Sequence, residues 1–403
     1  MIHVCFSLYD KNGTYSKFTG TTILSIFENT SAPVMVHILH DNTLTSDNRE
    51  KFIRLANRYD QEMKFYNVEE LCAEKISKIL KLIPFAKTSR LSVAALYRLL
   101  LPQLLSANIE KIIYLDSDII VNTNINELWK IDLGGKIFAA VPESSNGIPV
   151  QEFVPLCLKG YVAGEDYFNS GVMLIDLKIF RREEKTLARG VEFCGKSSEF
   201  SLLDQDVLNY LFSKNYFKLP VEFNSLVKAQ RFYKIKLSFG KIYHYTATAL
   251  GFGLTLDMND PFNALWMKYF VKTPWFNEQT IARLGEKFFQ VQAALKKSAL
   301  KLSATMTGKE RVFIVAKSEL DALLENFSVR EDEEIFAVDG AISIQRIINA
   351  MNSFRGKKIF FFLLSNFPFD ELEKAGFVRD RDFIDGFDFS PKNFNSYPLV
   401  AAL

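Results

Sequence analysis

The chain has 403 residues, with 49 Lys and Arg against 47 Asp and Glu for a formal net charge of +2, and 48% of it is hydrophobic, including 37 phenylalanines. That length exceeds what one hydrophobic core usually organises, so two domains, or one domain with a long appendage, are expected. The balanced charge and high apolar content speak against a disordered chain and against a nucleic-acid partner, and they fit a globular enzyme.

Met1 leads straight into Ile2-His3-Val4-Cys5-Phe6-Ser7 without a basic start or a small-residue cleavage site, so no signal peptide is read. The longest apolar run, near Ile359 to Leu364, is too short to span a bilayer, and a cytoplasmic protein is expected. Cys5, Cys72, Cys157 and Cys194 are scattered without a C-x-x-C pair, which suggests buried thiols and no disulfide framework.

The first strand is expected over Ile2 to Leu8, followed by the polar stretch Tyr9 to Tyr15 and a helical pattern through Ile23, Ile26 and Phe27. A second strand, Val34 to Leu39, ends in Asp41-Asn42, and a helix runs roughly from Asp47 to Tyr59. Such alternation predicts an α/β fold with a mostly parallel mixed sheet flanked by helices, in which ligands collect beyond the carboxyl ends of the strands.

Lys111 to Val121 then delivers Asp116-Ser117-Asp118 out of an apolar strand. In extended backbone, residues two apart share a face, so both carboxylates could reach one cation. Roughly one D-x-D is expected by chance in a chain this long. The setting distinguishes this pair, because two acids beside an apolar strand cost several kcal/mol unless a metal or hydrogen bonds compensate them. The bland alternative is a solvated turn ending the strand.

Next come Tyr167-Phe168-Asn169-Ser170-Gly171-Val172, where a glycine permits close approach, and Leu203-Asp204-Gln205-Asp206-Val207 at the head of a helical pattern, where an acid could simply stabilise the helix start. His244, in Ile242-Tyr243-His244-Tyr245-Thr246, could complete a metal site with two carboxylates if the three converge; otherwise it is structural. His3, His37 and His40 read as core or strand-end residues, and the remaining D-x-D, Asp380-Arg381-Asp382, as surface charge.

A shift follows Trp275. Residues 278–303 read as a basic amphipathic helix, either a solvated linker or a face for peripheral contact with the inner side of a membrane. Beyond it, strands near Arg311 to Ala316, Glu334 to Asp339 and Lys358 to Leu364, with a helix from Ile344 to Asn352, make a small Rossmann-like α/β module. Val315-Ala316-Lys317-Ser318-Glu319 stands where a glycine-rich turn would be needed, so no nucleotide is expected there. The resulting partition is 1–275, a linker over 276–308, and 309–403 as an interaction or assembly module.

The order Tyr-Leu-Asp-Ser-Asp, Tyr-Phe-Asn-Ser-Gly-Val, Leu-Asp-Gln-Asp-Val-Leu-Asn and His-Tyr-Thr, with Leu96-Tyr97-Arg98-Leu99 before it, resembles retaining glycosyltransferase family 8 over about residues 1 to 275. The resemblance implies a GT-A fold and transfer of glucose or galactose from a UDP-sugar donor to a glycan, lipid-linked or protein acceptor. It implies that Asp116, Asp118 and His244 hold Mn²⁺, with Mg²⁺ as the substitute. It further implies that Asn12, Tyr15, Arg98 and Ser117 join the two acids around the donor, with Tyr15 stacked on uracil. Asn169, Asp204 and Gln205 would line the reacting sugar, and Glu143 the acceptor. One departure stands out: the family pattern H-x-x-G-x-x-K-P-W is replaced here by His244-Tyr245-Thr246-Ala247-Thr248-Ala249-Leu250, which removes a phosphate-gripping Lys. Lys228, Lys241 and Lys268 are the substitutes considered. That departure keeps open a second reading, a degenerate transferase domain that binds a glycan or partner. A nucleotidyltransferase finds no glycine-rich triphosphate loop to support it. The oligomeric state is left open, a homo-oligomer included.

Overall fold

Strand β1 (Ile2–Leu8) is apolar almost throughout because both of its faces are covered, as a parallel sheet flanked by helices requires. It pairs in parallel with β2 (Val34–His40) on one side and β4 (Lys111–Leu115) on the other. The seven-stranded sheet runs β3-β2-β1-β4-β7-β6-β8, with β3 Glu62–Asn67, β6 Phe138–Pro142, β7 Phe168–Asp176 and β8 Phe217–Lys218. The order is parallel from β3 to β4, whereas β7 lies antiparallel to both β4 and β6. A second sheet orders β5 (Ile119–Asn122), β10 (Lys241–His244) and β9 (Ser225–Leu226).

The computed structural model describes residues 1–11, 13, 15–87, 91–246, 260–277, 310–317, 320, 331, 333–338, 343–364, 367–379 and 381–385. Those up to 277 belong to one compact unit and those from 310 onward to another. Asn12, residues 247–251 and the expected basic helix over 278–303 lie outside the described residues. Among the described residues, no helix is long and apolar enough to cross a membrane.

Helix α1 (Tyr15–Asn29) is buried from Ser16 to Phe27, and its hydroxyl-rich sequence follows from what it covers. Asp10 starts the helix by accepting hydrogen bonds from the Tyr15 and Ser16 N–H groups at 2.8 and 3.1 Å. Further along, Thr22 Oγ1 donates to the Ser117 and Ile119 carbonyls, Ser25 Oγ accepts from the Val121 N–H, and Asn29 Nδ2 donates to the Val121 carbonyl. These side chains satisfy the turn before β5 and the edge of β5 away from β10. Near its middle, Gly20 leaves the space that the Trp275 ring fills, since a Cβ there would lie 2.2 Å from the ring. Trp275 Nε1 in turn donates to Asn48 Oδ1.

In the C-terminal unit, four parallel strands run β12-β11-β13-β14: β11 Glu310–Ala316, β12 Glu334–Val338, β13 Lys358–Leu363 and β14 Phe383–Asp385. The helix Ile344–Ser353 contributes Ile347 and Met351 to a core with Val312, Ile314, Phe360 and Phe362. Two expectations need correction here. Asp382 is not surface charge: it is buried and accepts from the Val378 N–H at 2.9 Å, tying off the turn before β14. All four cysteines are free, but only Cys5 and Cys194 are buried, Cys72 and Cys157 being half-buried.

Candidate active site

Asp116 follows β4 and Asp118 precedes β5, with the chain turning between them. The two carboxylates therefore do not alternate along one strand, as the spacing suggests; a turn gathers them. The turn is not a solvated one. Thr19 Oγ1 donates to Ser117 Oγ at 2.8 Å, and the Asp116 N–H donates to the Gly171 carbonyl at 2.8 Å.

The third group arrives through the second sheet. β10 runs antiparallel to β5 with His244 opposite Ile119, and the Tyr245 N–H donates to the Asp118 carbonyl at 2.9 Å. This register sets His244 Nε2 3.3 Å from Asp118 Oδ1 and 3.9 Å from Asp116 Oδ2. One ligand atom from each of the three residues lies within 4.8 Å of the others, which is the compactness a shared divalent ion requires. Burial opposes charge on both His244 and Asp118. Their mutual attraction prevails, holding the carboxyl below its usual range and raising the imidazole.

Gly171 makes the convergence sterically feasible. A Cβ at this position would lie 2.4 Å from His244 Cε1 and 2.9 Å from both Asp116 Oδ2 and Asn169 Oδ1. The Gly171 N–H donates to Asn169 Oδ1 at 2.9 Å, which fixes that amide's orientation, because a backbone N–H can only donate. Asn169 Nδ2 must then donate to Glu143 Oε1 (2.8 Å), and Asn169 Oδ1 accepts from Asn224 Nδ2 (2.8 Å). Asn224 Oδ1 is thereby left to accept from His244 Nδ1–H at 3.1 Å, so Nε2 faces the carboxylates as the ligand nitrogen.

Arg98 is buried and links the metal-type cluster to the next segment. Its Nη2 donates to Asp116 Oδ1 at 2.7 Å, its Nη1 to the Ser170 carbonyl at 2.5 Å, and its Nε meets Asp204 Oδ2 at 2.9 Å. The guanidinium also lies over the Tyr114 ring, 4.0 Å from its centroid. Burial works against its charge, but Asp116 and Asp204 outweigh that and hold it firmly cationic. Asp204 itself is pushed up to about 7, chiefly by burial, with Arg98 opposing and Asp116 adding to the shift.

Asp204 and Gln205 open the helix α2 (Asp204–Phe212), and neither serves as its cap. Leu203 before them adopts φ +49°, a left-handed conformation that a non-glycine residue holds only when its surroundings impose it. Asp206 imposes it here, accepting from the Leu202 N–H at 2.9 Å and the Tyr167 hydroxyl at 2.8 Å. Gln205 Oε1 accepts from the Ser170 N–H at 3.0 Å. Asn209 pins the helix to β7 by bonding both the N–H and the carbonyl of Phe168 at 2.8 Å.

These groups face one cleft of about 820 Å³. Arg98, Asp116, Ser117, Asp118, Glu143, Asn169, Asp204, Gln205 and His244 all line it, as does Tyr15, whose side is 42% exposed. Glu143 is buried with Oε2 lacking a hydrogen-bond partner, and burial raises its carboxyl, with Asn169 opposing. Of the three lysines considered, Lys228 lines the cleft; Lys241 sits at the opposite end of β10 from His244, and Lys268 lies over the Tyr269 ring. The sequence reading missed Asn224, which orients His244 and carries no periodic or spacing signal of its own; Tyr114 and Ser170 stand inside the quoted motifs, without the contacts to Arg98 that the fold gives them.

The model of glycosyl transferase family 8 matches residues 5–249. The chain belongs to glycosyl transferase family 8. Relatives of the chain include a putative glycosyltransferase of Haemophilus influenzae, 26% identical over 246 residues covering 59% of this chain and 70% of the relative. A lipopolysaccharide 1,2-glucosyltransferase of Escherichia coli is 26% identical over 283 residues, covering 65% of this chain and 77% of the relative. Among solved structures, the galactosyltransferase LgtC in complex with donor and acceptor sugar analogues superposes with a TM-score of 0.53 at 18% identity, covering 69% of this chain and 98% of LgtC. An active-site mutant of LgtC gives 0.55 over the same shares. The family 8 chain thus has the GT-A glycosyltransferase fold, and its Asp-Asp-His group could hold a divalent metal.

Proposed function

We propose that this family 8 member transfers glucose or galactose from a UDP-sugar to a glycan, lipid-linked or protein acceptor, with retention of anomeric configuration and dependence on Mn²⁺ or Mg²⁺. The observation that carries the reading is the meeting of Asp116, Asp118 and His244 within 4.8 Å of one another in the lining of the cleft. The names of the relatives support a hexose as the transferred group: one is a lipopolysaccharide 1,2-glucosyltransferase, and a structural neighbour is a galactosyltransferase.

Loss of UDP builds negative charge on the β-phosphate, and a bound divalent ion supplies the Lewis-acid stabilisation of that charge. Asp116, Asp118 and the Nε2 of His244 would hold that ion. Arg98 locks Asp116 and Asp204 into one rigid unit, so the donor meets ligands that need no reorganisation. Tyr15 stacks on the uracil at the cleft edge, Ser117 and Asn12 help seat the nucleotide, and Lys228 takes the phosphate contact that the replaced Lys would have made. Asp204, Gln205 and Asn169 line the reacting sugar, with the Gln205 amide nearest the anomeric carbon as it becomes oxocarbenium-like. Glu143 Oε2 accepts a hydroxyl of the acceptor, which satisfies a carboxylate oxygen otherwise buried without a partner. To the C-terminal unit we assign an interaction or assembly role.

Hydrolysis and transfer assays with UDP-glucose and UDP-galactose, with Mn²⁺ and with EDTA, test the reading. Metal-dependent turnover that Asp116→Asn abolishes is expected. Absence of both turnover and binding for every nucleotide sugar tried, or activity that survives the substitution, ends it.

A further inference from the structure

We propose that the loop between the helix Val227–Phe232 and strand β10 docks on an anionic lipid surface and holds the cleft mouth against it. Phe232 is 78% exposed and Phe239 71%, and Tyr233 and Ile235 between them are exposed as well. Isolated apolar residues at a surface are ordinary, but four within the eight positions from the last residue of that helix through the loop form a patch that water disfavours.

The charges in the same loop are of one sign. Lys234 and Lys236 lie in it, Lys241 opens β10 directly after it, and no Asp or Glu occurs from Phe223 to Leu256. None of the three lysines has an ion-pair partner among the described residues. Asp260, the first described acid after this stretch, is paired with Arg231 at 2.7 Å. Aromatic and aliphatic side chains interleaved with unpaired lysines match the interface of a bilayer with anionic head groups, where rings enter the boundary and ammonium groups meet phosphates.

The loop is presented firmly. The Ile235 N–H donates to the Gln230 carbonyl at 2.8 Å, and the Gly240 N–H to the Asn122 carbonyl at 2.9 Å. The Tyr243 hydroxyl both accepts from the Ser238 N–H and donates to its carbonyl, each at 2.9 Å. Lys234 at φ +54° and Gly240 at φ +91° turn the chain near the two ends of the loop. Phe232 and Tyr233 also line the cleft, so the patch is continuous with its mouth. A head group borne on that lipid surface would reach the cleft directly. The inference rests on the transferase reading only in making the acceptor membrane-borne.

Sedimentation of the full chain with phosphatidylcholine vesicles containing roughly 30% phosphatidylglycerol, against pure phosphatidylcholine, tests it. Binding to the anionic vesicles alone, weakened by salt, is expected. The triple variant Lys234→Gln, Lys236→Gln, Phe239→Ser changes only residues outside the cleft lining. At about fivefold per lysine, it should lose at least ~25-fold in vesicle affinity while UDP-hexose hydrolysis and melting temperature stay unchanged. Wild-type chain that ignores anionic vesicles, or a triple variant that sediments like wild type, overturns the proposal. So does a variant that binds vesicles normally but loses transfer to a water-soluble glycan, which would make the loop a sugar platform. If vesicle binding behaves as expected and no UDP-sugar is hydrolysed by wild type, the docking surface stands and the transferase reading falls.

Discussion

Replacing Gly171 by Ala adds one methyl group at the most crowded point of the site. The new Cβ would sit 2.4 Å from His244 Cε1, about 1 Å inside the ~3.5 Å of ordinary carbon contact. Neither neighbour can step aside cheaply. His244 is tethered through Nδ1 to Asn224, and Asp116 is gripped by Arg98 through Oδ1 while its Oδ2 faces the intruding methyl at 2.9 Å. Overpacking of this kind costs about 1–3 kcal/mol. If the strain is relieved by displacing the imidazole, it appears as a loss of roughly 5- to 150-fold in Mn²⁺ affinity, since each 1.4 kcal/mol is tenfold. If the backbone absorbs it instead, the melting temperature falls by roughly 2–12 °C. Calorimetric titration with Mn²⁺, alongside thermal unfolding of the metal-free protein, separates the two. A Gly171→Ala protein with wild-type affinity and wild-type melting temperature would refute the claim that the three ligands meet over this glycine.

Arg98→Lys keeps a positive charge but cannot reach Asp116, Asp204 and the Ser170 carbonyl together, so one buried carboxylate is left without its partner. The expected loss is about 3 kcal/mol, read as a melting temperature lower by roughly 6–12 °C, and unfolding within 2 °C of wild type would contradict the bridging role. His37 tests the sheet rather than the site. Burial first, with the charges of His3 and Lys64, pushes its pKa down to about 3 from 6.5, so the native state binds fewer protons than the unfolded one. Its contribution is therefore complete above pH 6.5 and is lost as pH falls toward 3, amounting to about 2 kcal/mol by pH 5. Urea unfolding at pH 7 and pH 5 should show a smaller acid loss for His37→Asn than for wild type; equal losses would sink the assignment.

Much of the fold was legible because its strands are buried on both faces and read as continuous apolar runs. Ile2 to Leu8, Val34 to Leu39 and Lys358 to Leu364 each match an observed strand to within one residue. The site was legible to the extent that its chemistry sits in a D-x-D delivered by an apolar strand and in one of only four histidines. How those residues meet was not legible. The spacing pointed to alternation along a strand, whereas the carboxylates converge through a turn braced by Thr19 and Thr22 from a distant helix. The antiparallel register of β5 and β10 that delivers His244 depends on pairing between segments some 120 residues apart, beyond any local pattern. Asp204 illustrates the same limit. It reads as an ordinary acid at a helix start, and only the fold shows that its carboxylate is buried against the Arg98 guanidinium and the Ser170 hydroxyl.

Asn224 gives the strongest test of whether the polar groups behind the metal-type cluster act as one device. The Gly171 N–H sets the orientation of Asn169, Asn169 sets that of Asn224, and Asn224 sets the tautomer of His244. Removing either amide should therefore release the imidazole in the same way. Asn224→Ala and Asn169→Ala should each weaken Mn²⁺ binding by about 10- to 100-fold, as loss of an outer partner of a ligating histidine typically does. The double variant should then be little worse than either single one, because the second amide has nothing left to orient. Independent contacts would instead multiply the two losses. Asn169→Ala also deprives Glu143 Oε1 of its donor, so some excess in the double variant must be allowed for, measured by pairing each substitution with Glu143→Gln. An additive cycle across Asn169 and Asn224 after that correction would mean that the imidazole is oriented by its carboxylate neighbours alone and that the amide chain is only packing.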